Sequence, residues 1–154
     1  MKIGIIVYSQ TGNTFAVAQK LQAKLQAAGH SANVERLTTL GGEAVPKKAK
    51  IEKLPDLSGY DALAFAGPVK AFSLSQVMAA YMNQLPPLDN KKAVVFVTKG
   101  LAMAWTGGNK AIRQLKKGVE SHGGTVVGTG MVFWGSKGRD AQIDQVVDQL
   151  SKSF

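Results

Sequence analysis

The chain has no cysteine in its 154 residues. That one absence removes disulfides, thiolate nucleophiles, iron–sulfur clusters and cysteine-ligated zinc. Redox chemistry here would need an organic cofactor. Long apolar runs are missing too, and none approaches the roughly 20 residues that cross a bilayer as a helix. The N-terminal apolar stretch Ile3–Val7 is too short for a secretory signal and has no small-residue cleavage pattern after it. A cytoplasmic location is the expectation. Acidic residues are scarce, ten against nineteen Lys and Arg, for a net charge of +9. Such a balance favours acidic partners: an acidic protein, nucleic acid or an anionic membrane surface. Aromatic residues make up only 7% and do not interleave with the cluster Lys47, Lys48, Lys50 and Lys53. That arrangement does not suit single-strand nucleic-acid binding, which stacks bases on aromatic side chains. No helix-turn-helix or zinc signature accompanies the charge. Nucleic acid is therefore not an expected partner. The charge otherwise reads as a lysine-rich solvated surface, open to an acidic protein or to weak association with an anionic membrane.

What is present is a globular composition, 45% hydrophobic and 19% charged, of a length that fits one domain over residues 1–154. Strand-like and helix-like segments alternate. Strands are predicted at Lys2–Tyr8, Ala32–Leu37, Asp61–Ala66, Ala93–Thr98 and Thr125–Phe133. Helices are predicted at Thr14–Ala28, Ser73–Leu85 and Asn109–His122, with a last one opening near Asp140 as its N-cap. The third strand is expected to close on Gly67-Pro68. Thr38–Gly59 reads as irregular, with a short helix or none. Strands one, three and four are apolar throughout, as strands covered on both faces are. This alternation defines a doubly wound parallel sheet in a three-layer α/β/α sandwich. Ligands of such sheets bind outside the carboxyl ends of the strands.

Three loops at those ends look specialised. The first is Ser9-Gln10-Thr11-Gly12-Asn13-Thr14, between the first strand and the first helix. Backbone N–H groups and the positive end of a helix dipole make such a turn an anion site. Ser9, Thr11, Asn13 and Thr14 are neutral donors, and Gly12 allows close backbone approach. No Lys follows Gly12, so the loop is not a nucleoside-triphosphate loop, and one glycine is too few for a dinucleotide fingerprint. A phosphomonoester held by neutral hydrogen bonds fits. The alternative is a plain helix cap. The other two loops are Gly67–Ser75 (GPVKAFSLS) and Thr98–Gly108 (TKGLAMAWTGG). Tyr8 and Tyr81 are the only candidates for acid–base work, and both read as core residues, so no catalytic residue is assigned. Trp134 reads as packing, His30 and His122 as surface residues, and Asp140, Asp144 and Asp148 as a cap and a solvated face.

On these three segments the whole chain resembles the flavodoxin family, in its short-chain form with an uninterrupted fifth strand. The resemblance implies five parallel strands in the order 2-1-3-4-5 and non-covalent flavin mononucleotide (FMN). Ser9, Gln10, Thr11, Gly12, Asn13 and Thr14 would hold its phosphate. Pro68, Val69, Lys70, Ala71 and Phe72 would line the isoalloxazine ring from one loop, and Thr98, Lys99, Gly100, Met103 and Trp105 from the other. Phe72 reads equally as a core anchor of the second helix, whereas Trp105, in a Gly-bounded loop, is better explained by stacking. The implied function is FMN-based electron transfer with an acidic redox protein or a small-molecule acceptor. The alternatives are an FMN-dependent NAD(P)H:quinone-type oxidoreductase and a binding module without redox activity. Two features depart from the family. The chain is basic where flavodoxins are usually acidic. Lys70 stands where an aromatic residue is common, and Lys99 enters the other flavin loop. Cations there stabilise the negative charge of reduced flavin and raise its potential, unless they snorkel into solvent.

Overall fold

The computed structural model describes residues 1–40, 50–70, 72–100 and 107–154. In chain order the elements are β1 (Lys2–Val7), α1 (Asn13–Ala27), β2 (Ser31–Arg36), β3 (Thr39–Leu40), β4 (Lys50–Ile51) and β5 (Ala62–Lys70). Then come β6 (Ser73–Leu74), α2 (Gln76–Asn83), β7 (Lys92–Lys99), α3 (Gly108–Ser121), β8 (Thr125–Phe133) and α4 (Arg139–Ser151). The long strands pair in parallel as β2-β1-β5-β7-β8, which is the predicted order 2-1-3-4-5. Helices α1 and α4 pack on each other over one face of the sheet, and α2 and α3 over the other.

The apolar strands divide their side chains between two cores by strand alternation. Ile3, Ile5 and Val7 of β1 and Val94 and Phe96 of β7 enter the core beneath α1 and α4. Ile6, Val95 and Val97 enter the core beneath α2 and α3. Gly4 of β1 is where a large group crosses the strand. A Cβ there would lie 2.6 Å from the Tyr60 ring. The ring passes over the gap, and its hydroxyl donates to Glu35 Oε2 on β2 at 2.8 Å.

Three expectations are corrected. The third strand does not close on Gly67-Pro68 but continues to Lys70, and then folds back through β6 (Val69 opposite Leu74, Lys70 opposite Ser73). Pairing with β1 ends at Ala66, and β6 takes that side of β5 beyond it; there Pro68 gives only its carbonyl, to Ser75 N–H at 2.9 Å, while the Ser75 carbonyl accepts from Ala79 N–H of α2, so no N–H is missed at Pro68. Helix two correspondingly starts at Gln76 rather than Ser73, because Ser73-Leu74 is committed to the hairpin. Asp140 lies inside the first turn of α4, and the N-cap is Gly138. Within Thr38–Gly59, the described residues contain no helix. There β3 and β4 form a two-residue antiparallel ladder.

Candidate functional site

All three specialised loops emerge at the carboxyl ends of β1, β5 and β7. The first is a tight turn built on Ser9 and Gly12. The Gly12 N–H donates to Ser9 Oγ at 3.1 Å. Gly12 is the N-cap of α1 with φ 92, and no side chain caps the helix. That positive φ is open to glycine at no steric cost. The plain-cap alternative is thus not what the loop adopts: the amides of the first turn of α1 are not taken by Ser9, Thr11 or Asn13. Ser9 is buried, and because its oxygen accepts from Gly12, its own proton remains available to donate. Thr14 is placed differently. Its hydroxyl is buried and pairs with Thr98 Oγ1 at 2.7 Å, joining the first loop to the end of β7. Gln10 and Thr11 are exposed, and Gly12 and Asn13 half-buried.

One residue escaped sequence reading. Arg36, the last residue of β2, donates from its guanidinium to the Ser9 carbonyl at 2.8 Å, and its Cζ lies 4.7 Å from the Phe15 ring centroid. It brings a cation against a loop that has none of its own. The parallel register sets Arg36 opposite Val7, two residues before Ser9, a placement the sequence alone does not give. Beside it opens a cleft of about 430 Å³ bounded by Ser9, Gln10, Arg36, Thr38 and Thr39.

The second and third loops meet each other. Pro68 and Val69 are half-buried and Lys70 is exposed. Phe72 is 63% exposed with φ 65, so it sits at the tip of the β5–β6 hairpin and does not anchor α2. Gly107, the N-cap of α3 with φ 110, is pressed onto the Phe72 backbone: a Cβ at Gly107 would lie 2.4 Å from the Phe72 carbonyl carbon. Leu74 N–H donates to Gln114 Oε1 of α3 at 2.8 Å. Ala71, Met103 and Trp105 lie outside the described residues.

Lys99, at the end of β7, is only 4% exposed, with Nζ 5.5 Å from the Phe133 ring centroid. It does not snorkel, and its burial lowers the ammonium pKa. Its carbonyl accepts from Trp134 N–H at 2.7 Å, and the Gly100 carbonyl faces Gly135. Trp134 packs against the α1–α4 core under the Arg139 guanidinium, 4.6 Å away. His30 and His122 are half-buried and bond to the N-terminus and to the Gly118 carbonyl. Tyr8 and Tyr81 are core residues, as expected. Among the described residues no cluster of His, Cys, Asp and Glu could hold a metal, and no helix is long and apolar enough to cross a membrane.

Fold and site together define a class: a doubly wound α/β protein with an uncapped helix N-terminus at its first strand–helix turn, at the carboxyl edge of the sheet. The particular fold is that of the flavodoxins. Oxidised flavodoxin 2 from Bacillus cereus is 16% identical, covers 100% of both chains and superposes with a TM-score of 0.70. Two-electron reduced Megasphaera elsdenii flavodoxin is 22% identical, covers 96% of this chain and 98% of its own, and has a TM-score of 0.64. A flavoprotein from Lactobacillus acidophilus, solved in complex with FMN, is 15% identical over 94% and 97%, again with a TM-score of 0.64. No protein-family model and no curated protein matches the chain.

Proposed function

We propose that the chain is an FMN-binding electron carrier. One observation carries this reading: the first turn of α1 begins at Gly12 without a side-chain cap, beside a buried Ser9 hydroxyl that still has a proton to give. Amides at the positive end of a helix, with neutral hydroxyls and no lysine in the loop, suit a phosphomonoester. Ser9, Thr11, Gly12 and Asn13 would hold that phosphate, with Thr14 contributing its backbone amide because its hydroxyl is engaged by Thr98. Pro68, Val69 and Phe72 would border the ring on one side, and Thr98, Lys99 and Gly100 on the other. Bound FMN supplies the one- and two-electron chemistry; the protein positions the flavin and tunes its charge environment. The likeness to solved flavodoxins, one of them an FMN complex, supports the choice of cofactor. No acid–base pair stands in the loops, which favours a carrier over an enzyme with its own small substrate.

The test is fluorescence titration of the purified chain with FMN and with riboflavin. The expected result is quenching of FMN at micromolar or lower concentration and riboflavin binding weaker by about 100-fold, the share of a well-held phosphate. Equal affinities overturn the phosphate-site reading, and no flavin binding overturns the function. Steady oxidation of NADH or NADPH by the FMN-loaded protein with a quinone would replace the carrier reading by the oxidoreductase one.

A further inference from the structure

Phe72 is the most exposed of the large hydrophobic side chains in the described residues, and it is held in left-handed backbone geometry. A bulky residue is disfavoured there; Gly or Asn is what such a turn calls for. The hairpin therefore keeps a strained aromatic residue on display where it contributes little to the core. The surface beside it is cationic. The hairpin abuts α3 through Gly107 and through Gln114, which accepts from Leu74 N–H. Lys110 and Lys117 lie one turn to either side of Gln114, with Arg113 beside it, and all three are exposed, as is Lys70 on the hairpin. From Ala62 to the end of α3 at Ser121 the sequence contains two acidic residues: Glu120, in the last turn of α3 and paired with Lys116, and Asp89. Asp89 precedes β7, at the opposite end of the sheet from the hairpin tip. Helix α4, on the other face, carries three aspartates.

We propose that Phe72 and the basic face of α3 form the docking surface for an acidic redox protein. The proposal rests on the electron-carrier reading and deepens it by naming where the partner sits. An aromatic anchor with a charged rim is the anatomy of a specific protein interface. A rim of predominantly one sign steers an oppositely charged partner and fixes its orientation. The surface borders the hairpin loop expected to line the flavin, so a partner seated there stands at the site itself. One aromatic side chain beside one helix face is a protein-sized anchor. A membrane-binding face needs an apolar stripe along the helix, and the exposed positions of α3 are polar.

The probe is a plant-type [2Fe–2S] ferredoxin, an acidic one-electron protein, immobilised and titrated with the full chain at increasing NaCl. Three variants are compared with the parent: Lys110→Glu/Lys117→Glu, Phe72→Ser, and Lys20→Glu/Lys92→Glu, which changes the net charge equally but elsewhere. Circular dichroism establishes that each folds. The α3 pair is expected to weaken binding about tenfold at low salt, the control pair by less than about twofold. Phe72→Ser is expected to weaken binding at every salt concentration, because its contribution is not screened. Equal losses in both charge pairs, no loss in the α3 pair, or no binding to ferredoxin at low salt overturns the proposal. Binding to phosphatidylglycerol–phosphatidylcholine vesicles that depends on the α3 pair, with ferredoxin unbound, overturns it in favour of a membrane surface. This readout needs no flavin. FMN titration of the same variants reports separately on the function proposed above.

Discussion

Tyr81 carries a phenol hydroxyl into the core beneath α2 and α3, where its ring packs at 45° to Phe65 with centroids 6.4 Å apart. Its oxygen is buried and has no hydrogen-bond partner among the described residues. Burial pushes the phenol far above its ordinary pKa, so it stays neutral. A buried, unpaired hydroxyl costs about 1–3 kcal/mol, and phenylalanine keeps the ring that does the packing. Tyr81→Phe is therefore expected to stabilise the protein by about 1 kcal/mol, read from urea unfolding at constant m-value. A loss of stability would mean that the hydroxyl is in fact satisfied. At this scale the sequence was legible where periodicity speaks. Helical spacing places Tyr81 in the core, the apolar run before it places Tyr8 at the end of a buried strand, and the Ser9–Thr14 string stands out by its position after that strand. It was not legible where a side chain's depth depends on distant neighbours. The burial of Lys99 depends on packing against Phe133 of β8 and the start of α3, and the reach of Arg36 to Ser9 depends on strand pairing.

Among the elements, the alternation of strands and helices follows from apolar runs and turn residues, because central parallel strands must be apolar on both faces, whereas the sheet order is what the family resemblance implies. The β5–β6 hairpin was missed. Gly67-Pro68 is ordinarily a strand stop, but β1 ends at this level and leaves that side of β5 to β6, whose ladder asks no N–H of Pro68. The hairpin also explains the first of the two glycines that end Thr98–Gly108, while a Cβ at the second, Gly108, would meet the Met131 side chain. Gly107 must both adopt φ 110 and lie against the Phe72 backbone, so α3 and the hairpin dock through a position without a side chain. Gly107→Ala would drive a methyl group into main chain, which cannot yield as a flexible side chain can. The expected cost is about 3 kcal/mol, together with weaker FMN binding, since both ring-lining loops shift. Gly12→Ala serves as the contrast. It pays only for its positive φ, about 1 kcal/mol, because nothing lies within 4 Å of the added methyl. Chemical denaturation of the two variants side by side tests the docking: equal costs would show that Gly107 is only a turn residue.

On the scale of the whole molecule, the net charge of +9 sets the sign of the field at the site. Reduction adds negative charge, so a positive field raises the potential of a bound flavin, and salt that screens the field lowers it. From about 0.01 to 0.5 M ionic strength the Debye length falls from about 30 Å to a few Å. The midpoint potential of the FMN-loaded chain is accordingly expected to fall with salt, by on the order of 30 mV, half of a tenfold one-electron change. An acidic carrier would show the opposite slope. Lys99 is the exception within this field, because a buried charge is screened far less than an exposed one. Lys99→Met should lower the potential at high salt as well as low, whereas Lys70→Ala, at an exposed residue, should act mainly at low salt. The same substitution has a stability signature without flavin. Burial sets the folded pKa of Lys99 below its unfolded value, so the unfolded chain binds more protons between the two, and stability rises with pH across that window. Below the folded value the cost of the buried ammonium is present in full. Lys99→Met removes this titration, so the stability of the variant should lack that rise with pH. Redox titration at two salt concentrations and urea unfolding at neutral and high pH separate the two effects. A potential that rises with salt, or rises in Lys99→Met, would mean that the flavin does not sit within this field.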